Sequence, residues 1–122
     1  MSDTAPNPPA APTTDPAARQ VPSVLVITKN EEVNIAACLE SLRFSDDVVV
    51  LDSHSTDRTV EIAKAFPNVR VLFRHFDTEW KHRNYGLHEI PHKHPWLYTC
   101  DADERVTPQL RDEILDTIND PS

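Results

Sequence analysis

Short apolar runs alternate with segments of helical spacing from about residue 22 onward. The first run, Val24–Ile27, is continuously apolar, as expected for a strand that is covered on both faces of a sheet. In the next segment, Glu31–Arg43, apolar side chains recur at i, i+3, i+4 and i+7, which is the spacing of one helix face. These side chains are Ile35, Cys38, Leu39 and Leu42. The pattern therefore predicts a buried strand followed by a helix.

The same alternation repeats three more times along the chain. The later apolar runs predict strands at Val48–Leu51, Val69–Phe73 and Trp96–Cys100. The segments between and after them predict a helix opened by the Ser55-Thr56-Asp57 capping cluster, a weaker one from Thr78 to His88, and a closing one with Thr107 as N-cap and Pro108 in its first turn. Strands that alternate with helices favour right-handed crossovers. The predicted fold class is α/β, a three-layer sandwich with a mostly parallel sheet.

Composition divides the chain near residue 22. Six of the 11 prolines lie in the first 22 residues, together with many Ala, Thr and Asp residues and no aromatic one. Such a segment has little apolar surface to offset the loss of chain entropy on folding. We therefore expect residues 1–21 to be a disordered tail rich in Pro and Ala, and residues 22–122 to form a single domain.

Charge and hydropathy exclude several classes of protein. The chain has 20 acidic residues against 12 Lys plus Arg, a net charge of -8, and no basic stripe, so we expect no nucleic-acid partner. It has neither an apolar run of the roughly 18 residues that span a membrane nor a signal-peptide pattern. We expect a cytoplasmic protein without a transmembrane segment, with peripheral contact to the inner membrane face left open. Cys38 and Cys100, which form no CxxC pair, are expected to be reduced and buried.

Polar side chains follow each predicted strand at the point where the strand ends. These segments are Thr28–Glu31, Asp52–Ser55, His75–Asp77 and Asp101–Glu104. Because the carboxyl ends of parallel strands meet at one edge of the sheet, where such folds bind ligands, these groups should lie close together. The repulsion within a gathered set of carboxylates is relieved most directly by a hard divalent cation. Mg²⁺ or Mn²⁺ is therefore the predicted cofactor.

The candidate residues also have explanations that need no ligand. Asp52 is placed to accept hydrogen bonds from a base or ribose, or to cap the turn that follows it. Glu31 is favourable in the first turn of a helix, Arg83 fits a solvated helix face, and Asp101–Glu104 fits a solvated loop that leads into the last helix. A dinucleotide-binding G-x-G-x-x-G turn is excluded because the chain has one glycine. A receiver-like module is disfavoured because the first predicted strand lacks the paired acids that should follow it.

Four motifs in order resemble the inverting family 2 glycosyltransferases with the GT-A fold. They are Val24–Glu32 with the helix that follows, Asp47–Thr59, Arg83–Gly86 and Asp101–Arg105. The likeness is nearest to the branch that decorates lipopolysaccharide cores, and it extends over residues 22–118. It implies the nucleotide-sugar-binding half of a metal-dependent enzyme that transfers a sugar from a nucleotide-diphosphate donor to an acceptor hydroxyl with inversion.

The resemblance also implies which residues bind the nucleotide sugar. They are Thr28, Asn30, Glu31, Asp52, Arg83, Asp101 and Asp103. Thr28 and Glu31 would line the nucleoside pocket, and Asp52 would contact the base. Arg83 would lie near the base or the diphosphate and Asp101 near the ribose. Asp103 would coordinate the metal that bridges the diphosphate.

The sequence departs from the family pattern in two places. His54 stands where the family usually has glycine, which is strained if the backbone there adopts a positive φ. The chain stops at Ser122, whereas the family continues with a region that supplies the acceptor site and the general base. No catalytic residue is therefore assigned. Two alternatives stay open: a second chain that completes the fold, and a non-catalytic module that binds nucleotide sugars or a partner.

Overall fold

A computed structural model describes residues 19–121 and contains four strands that alternate with four helices. The elements are β1 Ser23–Thr28, α1 Ile35–Glu40, β2 Val48–Asp52, α2 Thr59–Lys64, β3 Val69–Phe73, α3 Glu79–His88, β4 Leu97–Asp101 and α4 Pro108–Ile118. Every predicted element is present in the predicted order. Positions 1–18 of the predicted tail, residues 1–21, lie outside the described residues. Two of its other residues, Arg19 and Gln20, contact the end of α4: Arg19 pairs with Asp116 at 2.7 Å, and Gln20 N donates at 2.9 Å to Oδ1 of Asn119, the residue that follows the helix.

The four strands form one sheet in the order β3-β2-β1-β4, and all three pairings are parallel. In this register Thr28 lies beside Asp52, and Ile27 lies beside Asp101. The chain runs outward from β1 to β3 and then returns to place β4 on the other side of β1. The strand order therefore switches between β1 and β4, and α/β sheets bind ligands outside the carboxyl ends of their strands at such a point.

Helices cover both faces of the sheet, which confirms the three-layer α/β prediction. On one face, alternate residues of β1 and β2 pack with side chains of α1, α2 and α4. On the other face, Leu25, Val49 and Leu51 pack with Ile90 and with partly buried side chains of α3. Because β1 and β2 are covered on both faces, they form continuous apolar runs in the sequence.

Helix α1 is shorter than predicted. The apolar spacing predicted a helix over Glu31–Arg43, but the helix covers Ile35–Glu40 and turns flank it on both sides. The residues before the helix are joined to the start of α2: Glu31 N donates to Thr59 Oγ1 at 2.8 Å and Glu32 N donates to Asp57 Oδ2 at 3.1 Å. Glu31 and Glu32 thus hold the segment before α1 against the residues that begin α2.

The buried face of helix α3 contains one small residue and one polar residue. Its buried residues are His82 and Gly86, one turn apart on the same face. A Cβ atom at Gly86 would lie 2.6 Å from Leu25 Cδ2, so glycine permits the close approach of α3 to β1. The weak apolar pattern of α3 thus follows from a contact surface that uses a glycine and a histidine.

The other expectations on burial also agree with the structure. Cys38 and Cys100 are buried and unbridged, with their Sγ atoms 3.9 Å apart. Within residues 19–121 no helix combines the length and the apolar character needed to cross a membrane.

Candidate functional site

A cleft of about 580 Å³ opens at the carboxyl edge of the sheet. Its lining comes from the ends of β1, β2 and β3: Ile27, Thr28, Lys29, Glu31, Ser53, His75 and Phe76. Thr28 and Glu31, two of the residues predicted to bind a nucleoside, therefore share one cavity. The Phe76 ring, 58% exposed, supplies an apolar surface at this cleft. The cleft thus combines a flat apolar side chain with hydroxyl, carboxylate and ammonium groups.

Asp52 lies beneath this cleft and is fully buried. Its Oδ1 atom accepts hydrogen bonds from the hydroxyls of Thr28 and Ser55, each at 2.6 Å. Its Oδ2 atom accepts from Ser55 N at 2.7 Å. Both oxygens are occupied, so in this geometry Asp52 caps the turn after β2 and orients Thr28. Its direct contact with a base stays a prediction.

Asn30 connects the loops that follow β1 and β2. Its backbone has a positive φ of 54°, its side-chain oxygen accepts from Thr56 N at 2.8 Å, and its own N–H donates to Ser55 Oγ at 2.8 Å. Asparagine tolerates this left-handed conformation better than most residues do. The structure therefore gives Asn30 a role in holding the loop, and its predicted contact with the nucleotide sugar is untested.

His54 also has a positive φ, of 56°. Because the family usually has glycine at this position, a histidine was expected to be strained there if φ were positive. The imidazole ring stacks on Phe73 with ring centroids 5.6 Å apart and lies 4.2 Å from the His75 ring. These ring contacts partly offset the backbone strain.

Lys29 stabilises the same turn. Its Nζ donates to the carbonyl oxygens of Ser53 and His54 at 3.0 and 3.1 Å. A lysine ammonium has three donors. One N–H of Lys29 is therefore left after these two bonds, on a residue that lines the cleft.

The acidic loop after β4 lies on the other side of β1. Arg83 of α3 is 3.6 Å from Asp101 and 3.5 Å from Glu79, which places two predicted site residues together. Arg83 also lines a second groove of about 540 Å³ along α3, with Glu79, Trp80, Asn84 and Leu87. Strand spacing puts the ends of β2 and β4 about 10 Å apart, a distance that one nucleotide can span.

Asp103 has the chemistry and exposure expected of a protein ligand to a divalent metal ion. It is exposed, and within residues 19–121 its carboxylate has no hydrogen bond or ion pair. Buried Ala102 anchors the loop between it and Asp101, so both carboxylates are on the surface. The part of the chain that the structure describes has no group of three or more His, Cys, Asp or Glu residues arranged to hold a metal. Mg²⁺ is commonly bound through one or two carboxylates plus substrate phosphates and water, and this loop matches that donor set.

A chain of polar contacts behind the cleft was missed from the sequence. Arg74 binds both Asp77 oxygens at 3.0 Å, and its NH1 is 3.1 Å from His82 Nδ1. His82 Nε2 lies 3.1 Å from Ser53 Oγ, in the cleft lining. Burial and the Arg74 guanidinium lower the pKa of His82, and the hydrogen bonds from Arg74 and Thr78 hold the pKa of Asp77 far below its usual range. The sequence feature that could have indicated a buried histidine is the four-residue spacing of His82 and Gly86, which places them on one face of α3.

The fold is a three-layer α/β sandwich with a switch point in its sheet and a polar cleft at the carboxyl edge, which is where proteins of this class bind their ligands. Residues 23–122 match the family described as Glycosyl transferase family 2. The chain belongs to that family, as the four motifs predicted.

Several known proteins are similar to this chain. An uncharacterised glycosyltransferase of Rickettsia typhi is 36% identical over 93 residues, which cover 75% of this chain and 31% of that protein. The lipopolysaccharide core biosynthesis glycosyltransferase LpsC of Rhizobium meliloti is 30% identical over 94 residues, covering 74% of this chain and 34% of LpsC. The chain therefore spans about a third of the length of these relatives.

A solved structure has the same fold. The crystal structure of S. aureus TarS 1–349 superposes with a TM-score of 0.62 at 27% identity, covering 75% of this chain and 30% of that one. This likeness confirms the GT-A class that the motifs implied.

Proposed function

We propose that residues 22–122 form the donor-binding half of a family 2 glycosyltransferase. In this proposal they bind the nucleotide-diphosphate part of an activated sugar together with Mg²⁺ or Mn²⁺. The observation that carries the proposal is the meeting of two features at one sheet edge. The cleft that contains Thr28 and Glu31 lies on one side of the end of β1, and the loop that contains Asp101 and Asp103 lies on the other.

Charge explains why a metal belongs in this proposal. The chain has a net charge of -8, and a nucleoside diphosphate is itself an anion. In the proposed site, the Asp103 carboxylate holds the cation and Arg83 faces the base or the diphosphate. When bound, the cation would offset charge on the diphosphate and stabilise the leaving nucleotide.

The remaining positions divide the nucleotide between the two sides of β1. Thr28 and Glu31 line the nucleoside pocket, with Phe76 beside them. Asp101, which pairs with Arg83, lies near the ribose. Asp52 acts on the pocket through Thr28, whose hydroxyl it orients.

Transfer itself requires a further group. An acceptor hydroxyl attacks the anomeric carbon, the bond to the diphosphate breaks, and the configuration inverts, while a carboxylate takes the hydroxyl proton. None of the carboxylates in residues 19–121 is assigned that role. The alternative function is a non-catalytic module that binds nucleotide sugars. The two functions differ in one assay, because only the enzyme hydrolyses or transfers the sugar of a bound donor.

Calorimetry with UDP, GDP, ADP, CMP and dTDP, each with and without Mg²⁺ or Mn²⁺, tests the proposal. The wild type should bind at least one of them more tightly with metal. Asp103→Asn should abolish the metal dependence and leave the fold intact. Asp112→Asn makes the same change of charge on exposed α4, outside the site, and should behave as the wild type does. If the wild type binds none of the five with either metal, the proposal is wrong.

Two other predictions from the sequence are untested. A second chain that completes the acceptor side would appear in light scattering as a mass above that of one chain. Peripheral association with the inner membrane face would appear as co-sedimentation with anionic vesicles.

A further inference from the structure

We propose that His82 is a positioning residue that fixes the Ser53 hydroxyl as a hydrogen-bond donor into the cleft, where an oxygen of the bound nucleotide accepts it. The inference rests on the proposed function, because it concerns the same cleft. It adds Ser53 and His82 to a site that the motifs assigned to other side chains, and it specifies the polarity of their hydrogen bond, that is, which atom donates and which accepts.

The polarity begins at Arg74. A guanidinium group can only donate hydrogen bonds, and Arg74 NH1 lies 3.1 Å from His82 Nδ1. Nδ1 must therefore accept, so it carries no proton. A neutral imidazole then carries its proton on Nε2. The neutral form agrees with the burial of His82, which is 1% exposed, and with a pKa lowered by burial and by Arg74.

The polarity continues to Ser53. His82 Nε2 is 3.1 Å from Ser53 Oγ, and because Nε2 is protonated it is the donor of that bond. The hydroxyl oxygen is then occupied as an acceptor, and its proton is directed elsewhere. Apart from His82, residues 19–121 supply no partner for this hydroxyl. Ser53 is 6% exposed and lines the cleft, so a ligand in the cleft is the partner available to its proton.

The contacts around Arg74 hold this arrangement in place. Both Asp77 oxygens accept from the guanidinium at 3.0 Å, and the group lies 5.1 Å above the Tyr85 ring. Arg74 N donates to Asp52 O at 3.0 Å, which ties the segment to the end of β2. The Phe76 ring packs 5.6 Å from the His82 ring. Arg74 and Asp77 are thus the charged groups that face the histidine.

A fixed donor selects its ligand. An oxygen acceptor gains a hydrogen bond at Ser53, whereas a donor group at the same place would meet another donor and be rejected. A base carbonyl, a ribose oxygen and a phosphate oxygen share the required chemistry. Comparing a nucleotide with its nucleoside separates these sources, because only the nucleotide carries phosphate.

The test measures binding of the tightest of the five nucleotides, and of its nucleoside, to wild type and Ser53→Ala. Loss of one neutral hydrogen bond should weaken nucleotide binding about three- to tenfold. An equal loss for the nucleoside places the acceptor on the base or ribose, and a loss confined to the nucleotide places it on phosphate. Ser41→Ala, which removes a half-buried hydroxyl between α1 and the loop before α4, is the matched control and should bind as the wild type does.

Variants of His82 test its role in positioning. His82→Leu removes both ring nitrogens and should weaken binding as much as Ser53→Ala does. His82→Gln supplies one acceptor and one donor and should restore most of the affinity. The double variant Ser53→Ala/His82→Leu should bind within about twofold of either single variant, because both act on one contact.

A measurement without ligand checks the polarity directly. The ¹⁵N shifts of the wild-type His82 ring should show a proton on Nε2 and none on Nδ1. A protonated Nδ1, or unchanged nucleotide binding in Ser53→Ala, overturns the inference while the proposed function stands. If the wild type binds no nucleotide, both fail.

Discussion

The Thr28 hydroxyl donates a hydrogen bond to Asp52 Oδ1 over 2.6 Å, which joins the carboxyl ends of β1 and β2 through their side chains as well as through the sheet. Asp52 is fully buried, and Ser55 donates one hydrogen bond to each of its two oxygens. The carboxylate of Asp52 thus has a structural role, because it holds Thr28 and Ser55 in place under the cleft.

Asp52→Ala should therefore destabilise the protein. It leaves two hydroxyls and one backbone N–H without their acceptor, and we expect the free energy of unfolding to fall by about 2–4 kcal/mol in urea denaturation. Asp52→Asn should cost less, since an amide can still accept from Ser55 N and donate to both hydroxyls. Asp103→Ala, at an exposed site, should change the free energy of unfolding by under about 0.5 kcal/mol. Equal stabilities of the two alanine variants would contradict this role for Asp52.

Gly86→Ala tests the close approach of α3 to β1. Alanine favours an isolated helix by about 1 kcal/mol over glycine, but here its methyl group would overlap the Leu25 side chain, which is 1% exposed. We expect a net loss of about 1–2 kcal/mol in the free energy of unfolding. In a Leu25→Val background, where the overlap is smaller, the loss should shrink. A stabilising Gly86→Ala in the wild-type background would show that the contact adjusts freely.

Replacement of His54 measures the strain at its positive φ. His54→Gly and His54→Ala both lose the ring contacts with Phe73 and His75, so the difference between them isolates the backbone. Because glycine adopts a positive φ without penalty, the glycine variant should be more stable by about 1 kcal/mol. Urea denaturation of the pair gives the answer, and an alanine variant at least as stable as the glycine one would refute it.

Stability should fall as the solution is acidified below pH 6.5. The pKa of His82 in the folded protein lies below its ordinary value of 6.5, so between these two values the unfolded chain binds more protons. The free energy of unfolding is then fully retained above pH 6.5 and decreases as pH falls toward the folded pKa. Urea denaturation from pH 8 to pH 5 should show this decrease in the wild type. In His82→Gln, which has no titrating ring, the slope should be reduced, and an identical slope would contradict the assignment.

The fold followed from the sequence where burial produces a pattern. The apolar run Val69–Phe73 gave the bounds of β3, and Thr107 with Pro108 gave the start of α4, because strand burial and helix caps are local properties. The predicted start of α1 at Glu31 was wrong: Glu31 and Glu32 lie before the helix and form hydrogen bonds to the residues that begin α2. Such bonds join residues more than 20 positions apart and leave no local pattern.

The candidate site could be predicted from the sequence only in part. Motif positions identified Thr28 and Glu31 in the cleft, because both lie at or just after the end of β1, and they identified the pair of Asp101 at the end of β4 with Arg83 of α3. His82 escaped notice, since its importance depends on which nitrogen accepts from Arg74, and that is defined only once α3 packs on the loop after β3.

The most direct test of the account is a ¹H–¹⁵N correlation spectrum recorded while the tightest-binding nucleotide and its metal are titrated into the protein. We predict that the largest shift changes occur at the amides of Thr28, Glu31, Ser53 and Asp103, on both sides of the end of β1. Changes confined to another surface, such as the apolar groove between β4 and α4 that includes Tyr98, would contradict a donor site at the carboxyl edge of the sheet.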